Sequence, residues 1–243
     1  MTSAMVLAAG EGRRLLPFTK SIPKPLLEIN GKALLEYHIE RLLEAGISKI
    51  IINTSHMAEQ IESFCMEKTL NSRWSADIHF SREPEPLETA GGIMKALPLL
   101  GNAPFIVVNA DIYTEYPFER LVEREVPFGE AHLVLVANPE HNPAGDFALS
   151  GRGLCKRIEH LSTETELIQR DSNSFTFSGI AMYHPTFFCG YAEGKRPLRP
   201  VLDAGASAEK ISGEVFLGEW ADIGTPERWN TAKRVYADDK SPT

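Results

Sequence analysis

The sequence predicts an α/β fold, a three-layer α/β/α sandwich whose central sheet is mostly parallel. Three observations carry that reading. Short buried apolar runs alternate with stretches of helical periodicity through the first part of the chain. The same alternation is lost further on, where short strand-like runs are separated by Asn-Pro, Gly and polar segments. The composition is that of an ordinary globular protein, 243 residues with 43% hydrophobic and 24% charged.

Residues 3–9 read as a buried strand. Residues 32–45 read as a helix, with Leu35, Ile39, Leu42 and Leu43 recurring at i, i+4, i+7 and i+8 and Gly46 placed to end it. Residues 49–53 form a second strand, 58–67 a helix, 77–81 a strand, 89–97 a helix and 104–109 a strongly apolar fourth strand. A β-α-β-α-β-α-β order favours parallel strands, and in such sheets ligands collect at the carboxyl ends. The second half offers strands at 133–137, 147–149, 154–159 and 175–183, and a closing helix over 226–236 started near Thr225. No repeat, low-complexity stretch or linker interrupts the chain, so one domain with two sub-regions is expected, with 239–243 as a loose tail.

The 25 Lys and Arg against 33 Asp and Glu give a net charge of -8, which argues against a general nucleic-acid or anionic-membrane surface. No apolar run approaches the roughly 18–20 residues of a membrane span, and 4–9 is too short for a signal peptide, so a soluble cytoplasmic protein is expected. Cys65, Cys155 and Cys189 are odd in number and far apart, which suggests buried unreactive thiols rather than disulfides or a zinc site.

Between Gly10 and Pro25 the charge balance reverses, with Arg13, Arg14, Lys20 and Lys24 against Glu11 alone. The glycine loop Gly10-Glu-Gly12 follows a strand directly, so its backbone N–H groups can approach phosphate oxygens and the arginines can contact the same anion. A tight turn with solvated arginines remains open on these residues alone. A dinucleotide fingerprint needs a third glycine at position 15, and a P-loop needs Gly-Lys-Ser/Thr starting there; both meet Leu15. The segment Asn53-Thr-Ser-His56 after the second strand offers no ribose-binding acid. Asn109-Ala-Asp111 at the end of the fourth strand offers a carboxylate suited to a hard cation, as does Asp222 in Trp220-Ala-Asp-Ile-Gly-Thr-Pro226, although either aspartate could instead cap a helix or turn.

The constellation Leu7-Ala-Ala-Gly-x-Gly-x-Arg-Leu-x-Pro17, then Pro23-Lys-Pro-Leu26, resembles the sugar-1-phosphate nucleotidylyltransferase family, and the resemblance spans nearly the whole chain. It implies a Rossmann-like nucleotide-diphospho-sugar transferase fold, with about 1–112 binding the nucleotide and about 113–238 the sugar phosphate. It implies that Ala8, Ala9, Gly10, Gly12 and Arg13 line the nucleotide and that Arg14 and Lys24 are the catalytic cations on its phosphates. Glu83-Pro-Glu-Pro-Leu-Glu-Thr-Ala-Gly-Gly92 is similar to the base-reading loop, which points to Glu83, Glu88, Gly91 and Gly92; an acidic reader would suit the N3–H of a pyrimidine, while a solvated loop charge is the alternative. Asn109 falls between nucleotide and sugar, and Asp111 and Asp222 fall on the magnesium ligands.

On the acceptor side the resemblance implies Asn109, Gly145, Asp146, Glu159 and Gly179, the last within Phe177-Ser-Gly-Ile180. Many relatives carry a Glu-Lys pair where this chain has Glu159-His160. The phrasing of Glu85-Pro-Leu-Glu-Thr89, Lys95-Ala-Leu-Pro-Leu-Leu-Gly101 and Ser212-Gly-Glu214 is most similar to short bacterial members that transfer uridylyl from UTP to N-acetylmuramate 1-phosphate in the recycling of peptidoglycan. A lactyl carboxylate on that acceptor would ask for a cation, for which Arg196, Arg199 and Lys210 are candidates. The rival expectations are a thymidylyl- or guanylyltransferase acting on glucose or mannose 1-phosphate, and a catalytically silent nucleotide-sugar-binding regulator. The chain ends soon after Trp220, which suggests a single-function monomer or small homo-oligomer.

Overall fold

The computed structural model of the protein describes residues 2–158 and 174–236. Its first half is built from β1 (Ser3–Leu7), the two-residue strands β2 (Glu28–Ile29) and β3 (Lys32–Ala33), α1 (Leu34–Glu44), β4 (Lys49–Thr54), α2 (Ala58–Leu70), β5 (Asp77–Arg82), α3 (Glu88–Leu100) and β6 (Phe105–Asn109). β1 lies between β4 and β6, parallel to both, with Ala4 opposite Ile50 and Ile106, and β5 extends the sheet beyond β4 in the same direction. The inner strands β1, β4 and β6 are apolar at most positions because both faces of the sheet are covered there, as expected of parallel strands, whereas the edge strand β5 is partly polar. Alternation then sorts their side chains between two cores. Ala4, Val6, Ile50, Ile52, Ile106 and Val108 face Leu35, Ile39 and Leu42 of α1 and Ile61 and Cys65 of α2. Met5, Ile51, Phe105 and Val107 face Ala90, Ile93 and Ala96 of α3 on the other side.

The second half adds β7 (Ile112–Thr114), α4 (Glu119–Val122), β8 (Ala131–Val136), β9 (Phe147–Leu149), β10 (Cys155–Arg157), β11 (Ser174–Tyr183), α5 (Leu198–Ser207), β12 (Ile211–Val215), β13 (Trp220–Asp222) and α6 (Pro226–Val235). β11 runs antiparallel between β6 and β8, and β12 closes that edge parallel to β8. The main sheet order is therefore β5-β4-β1-β6-β11-β8-β12, with β11 the one reversed strand among these, and β9 and β10 continue from the first residues of β11. α5 packs Leu198, Val201 and Leu202 into the same core as α3, so helices cover both faces of the sheet. Among the described residues no helix is long and apolar enough to cross a membrane.

Several expectations change. The helix expected from residue 32 starts at Leu34, because Lys32 and Ala33 pair with Ile29 and Glu28 across an Asn30-Gly31 turn with both residues at positive φ. Gly46 ends α1 as expected, its N–H returning to the Leu43 carbonyl. α5 was hidden by the prolines of Arg196-Pro-Leu-Arg-Pro200, yet these sit at the cap and in the first turn, where no backbone N–H is needed. Cys65 and Cys155 are buried, and burial pushes both thiols up to about 12, but Cys189 is exposed, contrary to expectation. The expected tail and the far end of the 154–159 strand lie outside the described residues.

Candidate active site

The site forms where β1 and β6 end. The Ala110 N–H donates to the Leu7 carbonyl at 3.1 Å, and the Ala8 N–H donates to Asn53 Oδ1 at 2.7 Å, so the chain leaves the sheet in a fixed direction. The glycine loop then folds back on itself. Gly12 has φ 65°, its carbonyl accepts from Leu15 N and Thr19 Oγ1, and a Cβ there would lie 2.9 Å from Thr19 Cγ2 and 3.2 Å from Lys24 Cβ, a close approach only glycine allows. Leu15, the residue that breaks both phosphate fingerprints, is fully buried with Leu27, Ile29, Leu34, Tyr113 and Ile223 and anchors the loop from beneath.

Above this anchor lies a pocket of about 400 Å³ lined by Ala8, Ala9, Gly10, Gly12, Arg13, Arg14, Lys24, Asn53, Glu83, Glu88, Asn109, Asp111 and Gly224, among others. It brings together most of the nucleotide-side residues singled out in the sequence. The two arginines differ. Arg13 is ion-paired with Glu11 and its side chain is 80% exposed, whereas Arg14 lines the pocket with no hydrogen bond or ion pair to the described residues. Lys24 is buried, and its Nζ lies 2.6 Å from Asp111 Oδ2.

Glu83 is also buried, its Oε1 accepting from Asn53 Nδ2 at 2.8 Å and its Oε2 from the Leu87 N–H at 2.9 Å. It is thus a strut between the β1 exit and the loop before α3 rather than a solvated charge, with one lone pair on each oxygen still open. Gly92 makes room for it, since a Cβ there would meet Glu83 Oε1 at 2.6 Å. Gly91 is pressed against the Gly194 carbonyl, and its N–H donates to the Arg196 carbonyl at 3.1 Å. Glu88 is exposed and faces Lys195 at 4.0 Å.

Asp111, immediately before β7, and Asp222, at the end of β13, come from distant parts of the sequence and are brought near each other by strand pairing. β13 runs antiparallel to β7 with Asp222 opposite Ile112, and the Ile223 N–H donates to the Asp111 carbonyl at 2.8 Å. His38 of α1 fixes the same point, its Nε2 donating to the Ile112 carbonyl at 2.9 Å, and burial pushes its pKa down to about 4, so the ring is neutral. Asp222 Oδ2 lies 2.7 Å from Arg228 Nη1 and 3.4 Å from His141 Nε2. Among the described residues no group of three or more His, Cys, Asp or Glu side chains converges. Two carboxylates, Asp111 lining the pocket and Asp222 on the paired strand β13, nevertheless suit a magnesium-like cation, which takes one or two carboxylates and completes its shell with water and substrate phosphates. Arg228 and His141 were missed by the sequence reasoning. The signal was available: an arginine in the first turn of α6 sits where the helix dipole disfavours a cation, so it calls for another reason to be there.

On the acceptor side Asn109 packs against Gly179, where φ is 85° and a Cβ would lie 2.6 Å from Asn109 Nδ2. Gly145 and Asp146 stand apart from the pocket lining, and Asp146 is held by Arg199 Nη1 at 2.9 Å and by the Phe177 N–H at 2.9 Å. Glu159 and His160 lie outside the described residues. Of the three candidate cations, Lys210 precedes β12 and its carbonyl accepts from the Ala131 N–H at the start of β8, the end of the sheet opposite the pocket. Arg199 is engaged by Asp146 and Asp203, and the guanidinium of Arg196 lies over the Tyr191 ring at 5.3 Å.

A family model described as nucleotidyl transferase matches residues 3–239. The N-acetylmuramate alpha-1-phosphate uridylyltransferase of Neisseria meningitidis serogroup B is 40% identical over 237 residues, covering 96% of this chain and 97% of its own length. A mannose-1-phosphate guanyltransferase of Hypocrea jecorina is 36% identical over 242 residues, covering 96% of this chain but 63% of its own length, so this chain spans just under two thirds of that relative. Among solved structures, HddC from Yersinia pseudotuberculosis complexed with GMP-PN superposes with a TM-score of 0.74 at 24% identity, covering 97% of this chain and 100% of its own, a likeness of fold.

Proposed function

The chain belongs to the nucleotidyl transferase family, and from that premise we propose that it transfers UMP from UTP to N-acetylmuramate 1-phosphate, giving UDP-N-acetylmuramate and pyrophosphate in the cytoplasmic recycling of peptidoglycan. The observation that carries the reaction type is the Lys24–Asp111 pair in a glycine-lined pocket at the carboxyl ends of β1 and β6, with Arg14 at its side and without a partner among the described residues. The choice of acceptor is supported by the full-length likeness to the Neisseria enzyme. The choice of base is supported by Glu83, which can only accept, as the N3–H of uracil requires.

In the proposed reaction a phosphate oxygen of the sugar 1-phosphate attacks the α-phosphorus of UTP in line, and the bond to the β-phosphate oxygen breaks. The attacking phosphate is already ionised near neutral pH, so no side-chain nucleophile is required. The protein's part is positioning and charge neutralisation. Backbone N–H groups of the 9–12 loop face the phosphates, Arg14 neutralises charge growing on the leaving pyrophosphate, and Lys24 turns from Asp111 to the same phosphates once UTP is bound. Asp111 and Asp222 would hold magnesium, which supplies further charge neutralisation. We assign residues up to about 112 to the nucleotide and about 113–238 to the sugar phosphate, within one domain of a monomer or small homo-oligomer.

Pyrophosphate release from the four nucleoside triphosphates, each paired with N-acetylmuramate, glucose and mannose 1-phosphates with and without EDTA, tests base, sugar and metal together. UTP with N-acetylmuramate 1-phosphate should turn over fastest and stop on chelation. Fastest turnover of GTP with mannose 1-phosphate would place the chain with its guanylyltransferase relatives. Tight UTP binding without turnover on any acceptor would make it a silent sensor.

A further inference from the structure

We propose that Arg228, steadied by His141, is the residue that binds the phosphate of the sugar 1-phosphate. The proposal rests on the transferase reading above and adds to it the group that receives the acceptor. Each of the two carboxylates at the site carries one cation: Lys24 Nζ lies 2.6 Å from Asp111 Oδ2, and Arg228 Nη1 lies 2.7 Å from Asp222 Oδ2. The two cations come from opposite halves of the molecule. Lys24 follows the glycine loop, whereas Arg228 stands on α6 and its Nη1 donates to His141 Nε2 at 2.8 Å, from the connection after β8 that continues into Gly145 and Asp146.

The guanidinium is also placed to reach the pocket. It lies over Gly224, which lines the pocket, and a Cβ at that position would meet Arg228 Nη2 at 2.3 Å and Asp222 Oδ1 at 2.8 Å. Nη1 makes the contacts to Asp222 and His141, while Nε and Nη2 make no hydrogen bond to the described residues. An arginine held by one nitrogen with the rest of its planar fork open is suited to two parallel bonds to a phosphate. The first turn of a helix is an unfavourable place for that charge, which is offset there by the pair with Asp222. Of the three cations first considered, Lys210 is at the far end of the sheet, Arg199 is already committed to Asp146 and Asp203, and Arg196 stacks over the Tyr191 ring.

Steady-state kinetics and titration calorimetry of Arg228→Gln test this with three probes: N-acetylmuramate 1-phosphate, N-acetylglucosamine 1-phosphate, which lacks the carboxylate, and N-acetylmuramate, which lacks the phosphate. The expected result is a rise of roughly 10- to 100-fold in KM and Kd for both sugar phosphates, the scale of one lost charge-assisted hydrogen bond or two, with the KM for UTP unchanged. An unchanged acceptor KM, or a loss confined to the probes that carry the lactyl carboxylate, would overturn the assignment. His141→Ala should give a smaller rise in acceptor KM, and His141→Gln, which keeps an acceptor for Nη1, should restore it; a positioning role fails if neither shifts KM. Should Arg228→Gln not fold, Arg228→Lys, which retains charge but loses the fork, should show an intermediate KM, and wild-type KM there would refute the proposal. A wild-type protein that turns over no sugar 1-phosphate overturns the transferase reading itself, while calorimetry with the same probes still decides the role of Arg228.

Discussion

Replacing Lys24 with methionine keeps most of the side chain's volume and removes its charge, which makes the Lys24–Asp111 pair the most direct handle on the site. At 2.6 Å and an effective dielectric constant of about 20, the attraction is about 6 kcal/mol before desolvation. The ammonium side chain is only 10% exposed, so several kcal/mol of that is offset by the water it has lost, and the carboxylate at 35% exposure is partly solvated already. A net loss of about 1–3 kcal/mol in unfolding free energy is expected for Lys24→Met by urea denaturation. Turnover should fall at least roughly 100-fold, the scale of one preorganised electrostatic contact. Adding Asp111→Asn should recover most of the stability, because neither partner is then left unpaired, and none of the activity. Near-normal turnover in a folded Lys24→Met or Asp111→Asn protein would refute the proposed chemistry. A double variant as unstable as the sum of the single ones would refute the pairing.

Three further outcomes are expected. His38 stays neutral in the fold down to about pH 4 whereas the unfolded chain binds its proton from about 6.5, so stability should fall by about 3 kcal/mol as pH drops across that window; His38→Gln should flatten the slope, and an equal slope in chemical denaturation at several pH values would exclude this cause. Gly179→Ala forces a Cβ to within 2.6 Å of Asn109 Nδ2 at a φ of 85°, which should cost at least about 1–2 kcal/mol and raise acceptor KM; an unchanged melting temperature would be the contrary result. Of the three thiols, Cys189 should react with a disulfide reagent in the native protein while Cys65 and Cys155 wait for unfolding; a count of two or three reactive thiols in the native state would contradict the burial described.

The first half of the fold was legible because its strands and helices are specified by local pattern. Apolar runs at β1, β4 and β6 and the 3.6-residue periodicity of α1 need no distant partner to be recognised. β7 and β13 were not legible, since three residues each have no periodicity and exist only by pairing with each other across more than a hundred positions. The same distinction runs through the site. The glycine loop, Lys24 and both aspartates lie within motifs, so their types and spacing were visible in the sequence. The engagement of Glu83 with Asn53 and the arrival of Arg228 beside Asp222 depend on which side chains tertiary folding brings together. Lys210 shows the converse, a charge near an acceptor motif in sequence and at the opposite end of the sheet in space.

The antiparallel pairing of β7 with β13 makes the second carboxylate the last component to arrive. Residues 111 and 222 can meet only after β8, β11 and β12 have been laid down and the chain has returned to the glycine-loop side, a long closure whose entropic cost must be met before any local contact rewards it. A partly folded chain with the β1–β6 layer in place would therefore possess a phosphate cradle but lack the pair of acids. Recovery of turnover during refolding should trail recovery of the parallel core, which makes catalysis itself a reporter on the final docking of β13 and α6.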